Sequence, residues 1–153
     1  MANYVQNSLR VVGGDPKEVF DAIRGERMIF DFRKLVPVPD EIANSNEEVE
    51  RHGAMVPLSK AWIAENWGTT RNACFAKYSE DNGIDFDTAW NAPEPIFEAL
   101  AKRFPNHEIV VTSDYTCCGA FGFETYVLKD GSVVSEGRLQ YGYVGEEGDS
   151  AEW

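Results

Sequence analysis

Asn82-Gly83-Ile84-Asp85-Phe86-Asp87-Thr88-Ala89-Trp90, followed from residue 93 by Pro-Glu-Pro-Ile-Phe-Glu-Ala-Leu-Ala-Lys-Arg-Phe-Pro105, holds a turn, a strand and a helix in succession. The Asn-Gly pair is a strong hairpin signal, because both residues tolerate the left-handed backbone that tight turns require. Ile84, Phe86, Thr88 and Trp90 recur with a period of two and share one face of a strand, which leaves Asp85 and Asp87 together on the other. In the next segment Ile96, Phe97, Leu100, Ala101 and Phe104 fall on one face at helical spacing, and Pro105 stops the helix. Asn91 and Glu94 are expected to form a capping box around Pro93.

Upstream, Arg71 to Tyr78 reads as the strand that pairs across the turn, and a helix is expected over Leu58 to Trp67, ended by Gly68, with Trp62 and Ile63 inward. At the start of the chain, Val5, Leu9 and Val11 alternate with Gln6, Ser8 and Arg10 in a strand over Asn3 to Val12. Asp15, Pro16 and Glu18 then have the spacing of a capped helix start, Val19, Phe20 and Ile23 form its buried stripe, and Gly25 is placed as its C-terminal cap. Between that helix and Thr70 the pattern weakens. Phe30 to Pro39 is expected to be extended by its prolines, Asn44 to His52 is polar and could be helical, and residues 26–70 read as an insertion that must dock Phe30, Phe32 and Trp62 on the core.

Downstream, Glu108 to Asp114 is a strand, and Phe121 to Leu128 and Val133 to Leu139 form a hairpin around Asp130-Gly131. The stretch from Gly119 to Gly122 reads as a tight connection or bulge, not a phosphate cradle, because it opens no helix. The tail from Gly142 is Gly-rich and acidic, and mobility is expected of it. The resulting order, β-α-(insertion)-β-β-α-β-β-β, has the split βαβ pattern of ferredoxin-like α+β folds: an antiparallel sheet, two helices on one face, and a C-terminal hairpin that extends the sheet. A chain of 153 residues forms such a core as one domain, here over residues 1–141, without staples.

The formal charge of −12 disfavours binding to a phosphate backbone. Asp40 to Glu50, Glu80 to Glu98 and Glu146 to Glu152 carry five, six and four acids with no base. They make either a solvated surface or a face for a basic partner. Three cysteines, two of them adjacent at Cys117 and Cys118, suggest no disulfide framework and fit a reducing cytosol. No run of the sequence has the ~20 apolar residues of a membrane helix, and no leader is expected, which together point to a cytoplasmic protein.

Two histidines, His52 and His107, are too few for a His-rich metal centre, and no carboxylate spacing suggests a ligand set, so neither metal nor cofactor is expected. Cys74 and Cys118 lack an activating motif. Asp85 and Asp87 could form an acid/base pair, but solvation of their face is the stronger reading, and it holds equally for Glu124 and Glu136. Among the aromatics, Trp90 is assigned to the core, in phase with Phe86. Trp67, at a helix end, is expected to be partly exposed. Core packing is the stronger reading of the set Trp62, Trp67 and Trp90; as a groove, with Asn66 and Arg71 supplying polar contacts, the set would offer rigid area and directed hydrogen bonds to a partner. The candidate binding residues are therefore Asn66, Trp67, Arg71, Asp85 and Asp87.

An opening like Asn3-Tyr4-Val5, the pieces Phe30-Asp31-Phe32 and Leu35-Val36-Pro37, Asn66-Trp67-Gly68-Thr69, Phe86-Asp87-Thr88-Ala89-Trp90 and Phe104-Pro105 together resemble the YubB-type ferredoxin-like domain proteins of bacteria, conjugative plasmids and tailed phages, also called Api-like phage proteins. Where that family tends to have Lys-Trp after the Asn-Trp-Gly-Thr piece, this chain has Thr70-Arg71. The resemblance implies a mobile element in a bacterial cytosol and carries no activity with it. The expected function is a non-enzymatic accessory protein that binds a host or competing-element protein through an acidic surface and the insertion, as an anti-defence inhibitor would. A ligand pocket or small active site near Trp67, Arg71 and Trp90 is the alternative. Self-association through a sheet edge, giving a homodimer, is the third reading.

Overall fold

The computed structural model describes residues 3–116 and 120–141. Their elements run β1 (Tyr4–Gly13), α1 (Pro16–Ile23), a 3₁₀ turn (Phe32–Lys34), α2 (Asp40–Ala43), β2 (Glu48–Arg51), β3 (Ala54–Pro57), α3 (Leu58–Trp67), β4 (Cys74–Ser79), β5 (Gly83–Ala89), α4 (Glu94–Arg103), β6 (Glu108–Asp114), β7 (Ala120–Lys129) and β8 (Ser132–Tyr141). Six strands form one sheet in the order β4-β5-β1-β6-β7-β8, and every neighbouring pair is antiparallel. The connection from β1 to β4 passes over β5, and that from β5 to β6 passes over β1. This interleaving is the split βαβ arrangement, and the β7-β8 hairpin extends it at the β6 edge. Cys117, Cys118 and the tail from Gly142 lie outside the described residues. Among the described residues no helix is long and apolar enough to cross a membrane.

The period-two runs determine which side of the sheet is covered. Val5, Leu9 and Val11 of β1, Ile84 and Phe86 of β5, Ile109 and Val111 of β6, and Leu128 of β7 are buried against Val19 and Ile23 of α1 and Ile96, Phe97 and Leu100 of α4. Asn7 occupies an inward position in this apolar face. Its Nδ2 donates to Thr88 Oγ1 at 3.0 Å and its Oδ1 accepts from Ser113 Oγ at 2.6 Å, while Thr88 Oγ1 donates to Asn91 O at 2.7 Å. The buried amide thus spans β5, β1 and β6 with its partners supplied, the condition under which a polar group is tolerated in a core.

The insertion docks on this core more deeply than its composition suggests. Phe30 and Phe32 are fully buried, with ring centroids 4.9 and 6.2 Å from Phe86, and Trp67 closes on Phe32 at 5.7 Å. Trp62 and Ile63 are half-buried on the same cluster. Asp31, between the two phenylalanines, accepts from Arg33 Nε and Nη2 at 3.0 Å each, from the Arg33 backbone N–H at 3.0 Å and from Asn72 Nδ2 at 2.9 Å. Asn72 Oδ1 in turn accepts from the Phe32 and Ala73 backbone N–H groups at 2.9 Å. A nominal insertion therefore supplies part of the hydrophobic core.

Several local expectations are corrected. Residues 30–39 are not simply extended: the 3₁₀ turn forms at Phe32–Lys34, capped by Asp31. Asn44 to His52 is not helical, because Glu48–Arg51 pairs with Ala54–Pro57 as a separate two-stranded hairpin. The strand expected from Arg71 begins only at Cys74, since Thr69 and Asn72 spend their side chains on Ala89 O and on the Phe32 loop. The start of α4 is not boxed by Asn91. Pro93 is its N-cap residue and makes no side-chain cap bond, while the Asn91 carbonyl is taken by Thr88. Of the stretch Gly119 to Gly122, Gly119 lies outside the described residues, and Ala120, Phe121 and Gly122 pair in regular register with Tyr141, Gln140 and Leu139.

Gly25 is not a left-handed cap either. The chain leaves α1 extended at Arg24, and Gly25 is required by space: a Cβ there would stand 2.6 Å from Asp31 Oδ2 and 2.9 Å from Asp31 Cβ. Gly25→Ala is expected to lower stability by about 1–3 kcal/mol by pushing Asp31 off its partners, measured as a fall in the urea midpoint at unchanged slope. An unchanged midpoint would show that the loop yields freely. The left-handed cap belongs to Gly68, at φ 77°, after α3.

Candidate binding face of the sheet

The same alternation that buries one side of the sheet leaves the other uncovered. Gln6, Ser8 and Arg10 of β1, Lys77 of β4, Asp85 and Asp87 of β5, and Thr112 and Asp114 of β6 line a groove of 710 Å³ across the four strands of the βαββαβ core. Arg10 Nη1 lies 3.0 Å from Asp85 Oδ1, with Lys77 directly opposite Asp85 in register. Asp87 is half-buried. Burial raises its carboxyl above the usual range, and the positive charge of Lys77 only partly offsets this. Three carboxylates thus face two cations in one groove.

At the β4 edge a bulge breaks the regular ladder. The register shifts between Cys74 and Lys77, and Phe75 takes a left-handed φ of 53°. That conformation is uncommon for a bulky residue, and bulges of this kind re-aim side chains next to functional surfaces. Here the ring is turned out onto the groove. It is 74% exposed and stacks edge-on against Tyr4 at 5.7 Å. Cys74, opposite Asp87, donates its thiol to Asn72 O at 3.4 Å. Burial pushes that thiol up, Arg71 pulls it down and Asp87 adds to the rise, so it stays protonated at neutral pH. Such a thiol is a poor nucleophile.

The residues singled out in the sequence separate into different places. Asp85 and Asp87 share the open face as the alternation requires. Asn66 points back along its own helix, with Nδ2 donating to Trp62 O at 2.8 Å. Trp67 is not partly exposed. Only 3% of it is accessible, and its indole N–H donates to Val36 O at 2.9 Å. Trp90 is not in the core. It is 47% exposed, because φ turns to 67° there and Asn91 N–H closes on Ala89 O at 2.8 Å in a three-residue turn. The strand therefore ends one residue before its phase would have carried Trp90 inward. Arg71 lies at the surface, with Nη1 3.1 Å from the Tyr4 hydroxyl. Trp67 therefore belongs to the core, while Arg71 and Trp90 lie at the surface.

Sequence reading missed Phe75, the residue that most distinguishes this face. Its left-handed bulge has no glycine to announce it. Arg10 was legible as an outward position and Lys77 was not singled out, and their approach to Asp85 depends on register. The acidic stretches are spread out: Glu80 and Asp81 sit at the β4-β5 turn, Glu94 and Glu98 on α4, and the acids between Asp40 and Glu50 on the insertion.

The antiparallel order β4-β5-β1-β6, with helices on one side and an open groove on the other, defines a ferredoxin-like α+β domain. Residues 66–152 match the family described as the ferredoxin-like domain in Api92-like protein, and the chain belongs to that family. No curated protein and no solved structure matches it.

Proposed function

We propose that this chain is an accessory protein of a phage, plasmid or related mobile element in the bacterial cytosol, and that it acts by holding a host or competing-element protein against the open face of its sheet, without chemistry of its own. Phe75 carries this reading. Holding a large apolar ring in left-handed backbone costs on the order of 1–3 kcal/mol, and the one edge-on contact with Tyr4 still leaves most of the ring in water. An exposed aromatic anchor beside a groove of directed charges is how protein interfaces concentrate their binding energy. The excess of carboxylates over cations in the groove favours a partner with a basic patch. An anti-defence inhibitor is one protein of this kind.

Affinity capture from a bacterial host lysate, at low and high salt, tests the reading. The wild-type chain is expected to retain a partner at low salt and release it as ions screen the groove. Phe75→Ala should weaken the purified pair at least tenfold, about 1.4 kcal/mol, with no loss of thermal stability. Reversal of charge at Asp85 and Asp87 should act in the same direction. Recovery of no partner at either salt, or an affinity indifferent to both changes, would overturn it.

A further inference from the structure

A second concavity, on the insertion and not on the sheet face, has the opposite charge. The hairpin β2-β3 and helix α3 border an open cleft of 590 Å³, rimmed by Arg51, His52, Lys60 and Arg71 over a floor that includes Val56 and Ala61. Glu65 is the one carboxylate lining it, and it is bound to Arg51 at 2.8 Å. Three permanent cations thus face one anion, a local surplus of two on a chain whose formal charge is −12. Alternation along β2 explains how this surplus survives on an acidic hairpin. Val49 and Arg51 fall on one side of the strand, with Arg51 reaching Glu65 of α3, and Glu48 and Glu50 fall on the other. His52, at φ 52° in the two-residue turn before Gly53 at φ 82°, stands at the mouth of the same cleft.

We infer that this cleft binds a small organic phosphate, of the size of a nucleoside diphosphate. Its volume falls within the ~300–1,000 Å³ of small-ligand sites. Guanidinium groups present the planar forks that fit phosphate oxygens, and Lys60 supplies a point charge. The aliphatic floor suits the organic part of the ligand, which inorganic phosphate lacks. The formal charge of −12 opposes longer polyanions, whereas a small ligand in the cleft feels mainly charges within the ~8 Å screening distance of physiological salt. The site differs from the proposed protein-binding face in position and sign, and either can fail without the other.

Titration of the isotope-labelled full chain with adenosine 5′-diphosphate, followed by amide NMR shifts, tests the inference. Saturable shifts are expected at Ala61, Ala64, Thr70 and Arg71, with weaker binding of inorganic phosphate. Lys60→Gln and Arg71→Gln should each weaken binding about tenfold, the loss of one charge-assisted hydrogen bond. Glu65→Gln, which frees Arg51, should strengthen it. Lys60 is exposed, so its substitution leaves folding intact. No shifts up to ~10 mM ligand, against the millimolar end of the affinity scale, would overturn the inference. So would shifts confined to the sheet face, or an affinity that Lys60→Gln and Glu65→Gln leave unchanged.

Discussion

Phe30→Ala is expected to lower the free energy of unfolding by about 3–5 kcal/mol, the cost of removing a fully buried aromatic ring from a core that cannot collapse into the space. The ring stands 5.0 Å from Phe32 and 4.9 Å from Phe86 in edge-on contacts, so its loss leaves both neighbours without a partner on one side. A loss of this size is a large part of the ~5–15 kcal/mol that holds most domains together. The measurement is a urea unfolding curve followed both by far-ultraviolet circular dichroism and by tryptophan fluorescence. If the insertion is part of the core, both signals shift together to a lower midpoint. Early loss of the fluorescence change alone, with the circular dichroism midpoint unmoved, would show the insertion to be an appendage that detaches from an otherwise independent sheet.

Asp31→Ala is expected to cost about 1–3 kcal/mol at neutral pH, because it removes the buried acceptor shared by Asn72 and by the more exposed Arg33. Its pH dependence distinguishes this cause from simple loss of packing. Burial alone would raise the Asp31 carboxyl. The hydrogen bonds from Arg33 and Asn72, with the Arg33 backbone N–H and charge, outweigh burial and hold it below the usual aspartate value. A carboxylate whose pKa is depressed by folding contributes stability that is complete above its unfolded value, ~3.9, and is lost as pH falls through the folded value. The difference between wild type and Asp31→Ala should therefore be widest at neutral pH and shrink below about pH 4. A difference that stays constant down to pH 2–3, below the aspartate range, would show that the charge at Asp31 has no part in the stabilisation.

These two positions show how far local pattern carries. Phe30-Asp31-Phe32 announced a need for burial, and the sequence named the phenylalanines. Their docking on Phe86, and the role of Asn72 forty residues away, depend on contacts that no spacing encodes. The same division applies to the candidate sites. Asp85 and Asp87 were placed together by alternation alone. Phase likewise put Trp90 with Phe86, until a left-handed turn one residue past the strand sent it outward. Helix-end position suggested exposure for Trp67, and the carbonyl of Val36 and the ring of Phe32 buried it.

By itself the amino-acid order determined the strands and helices outside residues 26–70, their split βαβ topology and the helix over Leu58 to Trp67, because these follow from periodicities of 2.0 and 3.6 residues that a short window displays. Tertiary structure alone decided the bulge that presents Phe75, the exchange of Trp67 and Trp90 between core and surface, and the gathering of Arg51, Lys60 and Arg71 around one cleft. Each of these depends on left-handed backbone or on segments distant in the chain, and such contacts are chosen by the packing of the whole domain.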